Sequence, residues 1–487
     1  MTTANQNSSE AQESPRSEEI EELVAAYQKR TPGSKEYAER HQEHHADKSS
    51  IAIGATSSMK ALGYPIVVER ASGSRIWDVD GNEFVDILQG LGANLFGHNP
   101  DFVREALERQ LAKGFPIGAQ TKLAGKVAEQ VTQLTGMPRV CFSNTGTEAI
   151  MAAIRVARAK TGRSKIAVFA DSYHGHADTV LMRASLAEYA RRKILNRVAD
   201  RAWFAPMSAL LRRFQVKRSA PASVGIPKSL ASEVVVLNYG DPNSLRAIKS
   251  MSEKLAAVLV EPVQSRRPEL QPREFLQSLR EVTQAAGIAL IFDEMVTGFR
   301  SHPGGAQALF EVRADLATYS KVVGGGLPLS VIAGKHEFMD FLQPRPQSAN
   351  KSVFFAGTFC KHPLSLAAAH AALSHMLEAG PLLQEELTRK TAIMVERLNQ
   401  GTKAASIPVQ FTHFGSFFSI AMRQSRINPE NVNLLSYYLL HHGIHLRSGD
   451  RGGFLTTAHS DQDIDQVVET FSDGLKWVFG SDAKAGV

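Results

Sequence analysis

The sequence predicts an α/β protein: a large domain with a mainly parallel central sheet flanked by helices, plus a smaller α+β domain. Three observations lead there. From about Lys122 onward, helical stretches alternate with short apolar runs, the rhythm of a parallel sheet covered on both faces. Beyond about Thr358 the pattern changes to long helices followed by short strands. Finally, Ala286 to Phe292 is an apolar run of buried-strand length that ends on Asp293, at the carboxyl end where open parallel sheets bind ligands.

Composition bounds the reading. A chain of 487 residues can bury a large core and form more than one domain. Its 43% apolar and 21% charged residues are ordinary for a globular protein. No apolar run approaches the roughly 20 residues that span a bilayer, so a membrane is not an expected partner. A formal charge of +6 is modest for this length and gives no reason to expect nucleic acid. Cys141 and Cys360 are the only cysteines, which argues against a disulfide framework and for a cytoplasmic location.

Taken in order, residues 1–45 read as a flexible tail, rich in Ser, Gln and Glu and lacking an apolar signal-peptide core, that leads into a helix from about Ile20. Residues 46–115 form a segment that joins the small domain and dimer contacts. In it Ile66 to Arg70 and Ser74 to Val85 alternate as two strands of a hairpin, with Asp80-Gly81-Asn82 as turn. The large domain spans 116–357. Its expected strands are Val140 to Ser143, Ile166 to Ala170, Glu233 to Leu237, Ala256 to Glu261, Ala289 to Asp293 and Leu316 to Ser320. Residues 358–487 make the small domain, with helices around Pro363 to Gln400 and strands near Val409 to Met422 and Ile444 to Ala458. A basic insertion at 186–230 interrupts the sheet pattern: Arg191 to Arg218 carries nine Arg or Lys residues against the single acid Asp200. Three readings stay open for it: a solvated amphipathic helix, a docking face for an acidic carrier protein, and a segment lying on an anionic membrane.

Two residues carry the chemistry. Lys321 follows an apolar strand and precedes Gly324-Gly325-Gly326, while Asp293 ends the preceding strand. A lysine can hold pyridoxal 5′-phosphate (PLP) as a Schiff base, and a carboxylate against the pyridine nitrogen keeps that ring an electron acceptor. Asn144-Thr145-Gly146-Thr147-Glu148 opens a helix with capping-box spacing between Thr145 and Glu148. Its uncapped amides, Gly146 and the Thr147 hydroxyl suit a phosphate. Tyr173 could stack on a pyridine ring. His174 and His176 are too sparse for a metal site, and no metal is assigned.

On these motifs the chain resembles class III aminotransferases of PLP fold type I, particularly the glutamate-1-semialdehyde aminomutase branch, from about Tyr64 onward. The motifs are Trp77-Asp78-Val79-Asp80-Gly81, Gly97-His98-Asn99-Pro100, Asn144 to Ala149, Tyr173-His174-Gly175, Glu261-Pro262-Val263-Gln264, Asp293 to Arg300, and Lys321 with its glycines. The resemblance implies that Lys321 is the Schiff-base lysine, that Asp293 binds the pyridine nitrogen and that Tyr173 stacks on the ring. It also implies that Gly146 and Thr147 hold the phosphate, that Gln264 lies near the ring hydroxyl, and that Met295 lies behind the ring. Thr358 would reach the phosphate of a neighbouring subunit, which implies a homodimer with shared active sites.

Pro262 to Pro268, His302 to Ala308 and Phe355 to Leu364 look more specifically like the aminotransferase modules of hybrid polyketide and peptide synthetases of the mycosubtilin and iturin type. Two departures from the aminomutase branch point the same way. Thr56 stands where that branch has a carboxylate-binding arginine, and Arg451 stands where it has a glutamate. Arg451 is thereby a candidate for the donor carboxylate or a phosphopantetheine phosphate. The expectation is a PLP-dependent aminotransferase that takes an amino group from an amino acid donor. Its acceptor would be a keto or aldehyde group of a polyketide- or fatty-acyl-type intermediate, carried as a β-ketoacyl thioester on an acyl or peptidyl carrier protein. The alternatives are a glutamate-1-semialdehyde-like 2,1-aminomutase and a non-catalytic carrier-docking protein.

Overall fold

A computed structural model describes residues 15–46, 58–185, 219–343 and 352–480. Thr56 and the basic stretch Arg191 to Arg218 lie outside these, as do residues 1–14 of the amino-terminal tail. Among the described residues no helix is long and apolar enough to cross a membrane.

The strands are β1 Val68–Ser72, β2 Arg75–Asp78, β3 Glu83–Asp86, β4 Arg139–Ser143, β5 Lys165–Phe169, β6 Met182–Ala184, β7 Ser219–Pro221 and β8 Val234–Leu237. They continue with β9 Leu255–Val260, β10 Ala289–Asp293, β11 Leu316–Tyr319, β12 Ser330–Gly334, β13 Phe411–Phe414, β14 Phe417–Ile420, β15 Ile444–His445 and β16 Gly452–Phe454. Seven of them form the central sheet in the order β4-β12-β11-β10-β9-β5-β8. Only β12 runs against its neighbours, β4 and β11; the other pairings are parallel. β9 and β10 are buried at every position because helices cover both faces, which is why they read as unbroken apolar runs.

Each face has its own core. On one side helix Gly146–Thr161 presents Ala149, Ala152, Ala153, Val156 and Ala157, small residues that let it approach the sheet closely. The other side receives Phe275, Leu276 and Leu279 of helix Arg273–Ala285, and Leu366, Leu373 and Met376 of helix Pro363–Ala379. Fully burying a leucine such as Leu276 or Leu366 contributes about 2 kcal/mol. A third core gathers both ends of the chain: Leu23, Tyr27, Leu62 and Val85 pack with Leu398, Phe411, Leu435, Val467 and Phe471.

Two expectations need correction. The turn expected at Asp80-Gly81-Asn82 is present, but it divides Ser74 to Val85 into two antiparallel strands, β2 and β3, rather than closing a two-stranded hairpin with Ile66 to Arg70. The Asp78 carboxylate accepts the Asp80 and Asn82 amides at 3.0 and 2.8 Å, closing that turn. Carboxyl-terminal β15 then adds in parallel to β3, giving a four-stranded sheet. The first helix also begins earlier than Ile20, at Pro15. β6 and β7 pair antiparallel, so the two flanks of the basic segment lie side by side.

Candidate active site

The carboxyl ends of β5, β9, β10 and β11 open on one edge of the central sheet, and the turn after β4 reaches the same edge. Asp293 closes β10 and is buried. Its Oδ2 lies 2.7 Å from His174 Nδ1, and its Oδ1 accepts the Met295 amide at 3.1 Å. His174 is itself buried, and its Nε2 has no partner among the described residues. Glu261, just beyond β9, accepts the amides of Tyr173 at 2.9 Å and Ser265 at 3.1 Å, which pins the Tyr173-His174 segment to the sheet. Burial raises the Glu261 carboxyl above its ordinary value, against the lowering pull of His174.

Lys321 is the first residue of the turn that follows β11 and sits at φ +53°, a left-handed conformation uncommon for a residue with a side chain. Burial lowers its ammonium below the ordinary lysine value, opposed by the carboxylates of Asp293 and Glu261. The amine has no hydrogen-bond or ion-pair partner among the described residues.

The third part is the start of helix Gly146–Thr161. The capping box is realised: Thr145 Oγ1 accepts the Glu148 amide at 3.3 Å, and Glu148 Oε2 accepts the amides of Asn144 and Thr145 at 2.8 and 3.2 Å. Close packing keeps the glycines small. A Cβ on Gly146 would lie 2.8 Å from Met295 Sδ, and one on Gly175, at φ +84°, would lie 2.4 Å from Thr147 Oγ1. Gln264 is fully buried; its Nε2 donates to Ala170 O at 2.7 Å, and its Oε1 has no partner among the described residues.

These groups match those of PLP. A lone amine stands for the aldehyde, a buried carboxylate for the ring nitrogen, a helix end for the phosphate, and an orphaned Oε1 for a ring donor. The structure therefore brings together Lys321, Asp293, Gly146, Thr147, Met295 and Gln264. Tyr173 stands at the rim, 49% exposed, with the Arg266 guanidinium 5.8 Å from its ring centre. Arg451 is half-buried, its guanidinium pKa lowered by burial and then by Arg266. Thr358 is not gathered in; it lies on an exposed turn whose Cys360 Sγ is 3.7 Å from Asn144 Nδ2. His174 and Glu261 are site residues to which sequence reasoning assigned no role. Their sequence signals are that Glu261 ends a predicted strand, that His174 follows one closely, and that both stand in motifs shared with the family.

The class-III aminotransferase family model matches residues 56–475. The chain belongs to that family. This class-III aminotransferase is 34% identical over 423 residues to the glutamate-1-semialdehyde 2,1-aminomutase 2 of an Exiguobacterium species, covering 84% of this chain and 89% of that one. Among solved structures it is similar to an omega-transaminase from Sphaerobacter thermophilus, with a TM-score of 0.78 and 27% identity over 91% of this chain and 97% of the other. A transaminase solved with PLP bound gives a TM-score of 0.78 at 25% identity over 92% and 98% of the two chains. The expected class III family, the fold-type-I architecture and the PLP cofactor all stand, and the class-III aminotransferase is a PLP-dependent enzyme.

Proposed function

We propose that this enzyme moves an amino group at a carbonyl carbon, with Lys321 as the acid-base group. The observation that carries this reading is the meeting of Lys321, the His174-bound Asp293 and the Gly146-Thr147 helix end on one sheet edge. When bound, PLP supplies an electron sink for the bond broken at the substrate carbon. Asp293 would hold the pyridine nitrogen while His174 fixes its Oδ2. Gly146 and Thr147 would hold the phosphate, Tyr173 and Met295 would flank the ring, and Gln264 Oε1 would accept from the ring hydroxyl. Lys321 Nζ, eased toward its neutral form by burial, would hold the cofactor and serve as the base that takes the proton from the substrate carbon.

Thr358 of a second copy would reach the phosphate, making a homodimer with shared sites. Exposed Phe354 and Phe359 flank that turn and favour such a contact. We place the enzyme in the cytoplasm on its two free cysteines.

For the substrate, the curated relative favours a 2,1-aminomutase of the glutamate-1-semialdehyde type, in which donor and acceptor carbons belong to one molecule. A second reading rests on Arg451, half-buried beside Arg266 at the rim. This arginine suits an amino acid donor's carboxylate or a phosphopantetheine phosphate, and so transfer onto a β-ketoacyl thioester on an acyl or peptidyl carrier protein.

Donor dependence separates the two. The PLP-loaded protein is given glutamate-1-semialdehyde alone, and in parallel a carrier-bound β-ketoacyl thioester with glutamate or glutamine; mass spectrometry reads the products. Isomerisation without a donor identifies the mutase, and donor-dependent amination of the thioester identifies the second reading. Lys321→Ala should abolish turnover and the visible PLP band, and a variant that keeps either would sink the lysine assignment.

A further inference from the structure

Arg300 is wholly buried, and burial alone pushes its guanidinium pKa down to about 9, with no carboxylate beside it among the described residues. A buried charge without a counter-charge costs several kcal/mol, roughly, so its retention calls for a structural reason. Its hydrogen bonds give one. Nη1 donates to Ser416 Oγ at 2.7 Å and to Leu455 O at 3.4 Å, Nη2 donates to Gly92 O, and the guanidinium lies 4.9 Å from the centre of the Phe454 ring. The acceptors come from three distant parts of the chain.

Gly92 ends a strained turn. Gln89, Gly90, Leu91 and Gly92 stand at φ +46°, +60°, +59° and +85°, and each non-glycine residue held there costs about 1–2 kcal/mol. Such a turn persists only if both ends are held. Asp86 holds the start, accepting the amides of Leu88 at 2.9 Å and Gln89 at 3.2 Å; Arg300 holds the end. The turn packs against the one that begins at Lys321. Arg300's own segment leans on the same place: the Phe299 and Tyr319 rings are 5.1 Å apart, and a Cβ on Gly298 would lie 2.5 Å from the Tyr319 ring, two residues before Lys321.

We propose that Arg300 is a positioning residue for Lys321: its buried guanidinium clamps the strained turn Gln89–Gly92 to Ser416 and Leu455 and so fixes the wall beside the lysine. This rests on Lys321 being the reacting amine. The charge has a second effect. The groups acting on Lys321 are Asp293 from β10 and Glu261 from the end of β9, which favour its charged form, and Arg300, which favours the neutral one alongside burial. Without Arg300 burial alone opposes the two carboxylates, and the amine holds its proton to higher pH.

The test follows capture of added PLP by the full-length protein stripped of cofactor, read as growth of the visible band against pH. Arg300→Met removes charge and fork together, and the pH midpoint of capture should rise. Arg300→Lys keeps the charge and loses the fork; the midpoint should stay, while the plateau capture rate falls about tenfold, the equivalent of one misplaced hydrogen-bonded contact. A folded Arg300→Met protein with the wild-type midpoint overturns the electrostatic part. Arg300→Lys with the wild-type plateau overturns the clamp, and decides the matter alone if Arg300→Met does not fold. Lys321→Ala serves as control: a visible band in that variant means that the lysine reading itself is wrong, whatever Arg300 does.

Discussion

Asp293 is held by a partner that its own strand does not supply: His174, 119 positions earlier in the chain, meets its Oδ2 at 2.7 Å. Lys321 and Asp293 are legible in the sequence because each follows an apolar run and has a side chain whose chemistry is specific. His174 is not legible in the same way; a lone histidine in Tyr-His-Gly-His reads as a poor metal ligand until the fold sets it against a carboxylate. A hydrogen bond to a charged group contributes about 1.5–3 kcal/mol. His174→Ala should therefore lower turnover by roughly ten- to a hundredfold while leaving the visible PLP band in place, since Lys321 is untouched. A loss under about twofold in steady-state assays would leave Asp293 with no need of His174.

Among the elements, the helix Gly146–Thr161 was the most readable, because its capping box is local: Thr145 and Glu148 are three residues apart, and both reciprocal bonds form. Thr145→Ala removes the Oγ1 acceptor of the Glu148 amide and should cost about 1 kcal/mol in urea unfolding. An unchanged midpoint would mean that solvent replaces the cap at no loss. β12 was not foreseen, nor its direction. Its residues Ser330 to Gly334 are buried throughout and would suit either direction. The connection from Lys321 to Leu329 is too short to hold a crossover helix, so β12 returns antiparallel to β11. In Ser74 to Val85 the turn at Asp80-Gly81-Asn82 was legible, and Asp78 closes it; that it makes the segment two strands, β2 and β3, was not.

At the scale of the molecule, both chain ends build one core, and β15 completes a sheet begun by β1, β2 and β3. A strand near Ile444 was expected in the small domain, but its parallel pairing with β3 was not; the Asp86 carboxylate holds it there, 2.7 Å from His445 Nδ1. The surface gives the remaining prediction. Phe354 is 82% exposed, Phe359 58% and Phe115 48%, a cost in water that a second copy would relieve under the proposed dimer. Phe359→Glu should shift the sedimentation of the protein toward monomer and weaken PLP retention together. A dimer unchanged by it would place the subunit contact elsewhere. The sequence by itself determined the fold class, the family and the residues whose chemistry is intrinsic, Lys321 and Asp293, because apolar rhythm and side-chain type are local properties. Only the tertiary structure decided which groups tune them: His174 on Asp293, Glu261 on Tyr173, and Arg300 beside the lysine turn. Those are contacts between strand ends and loops far apart in the chain, and packing, rather than spacing, sets them.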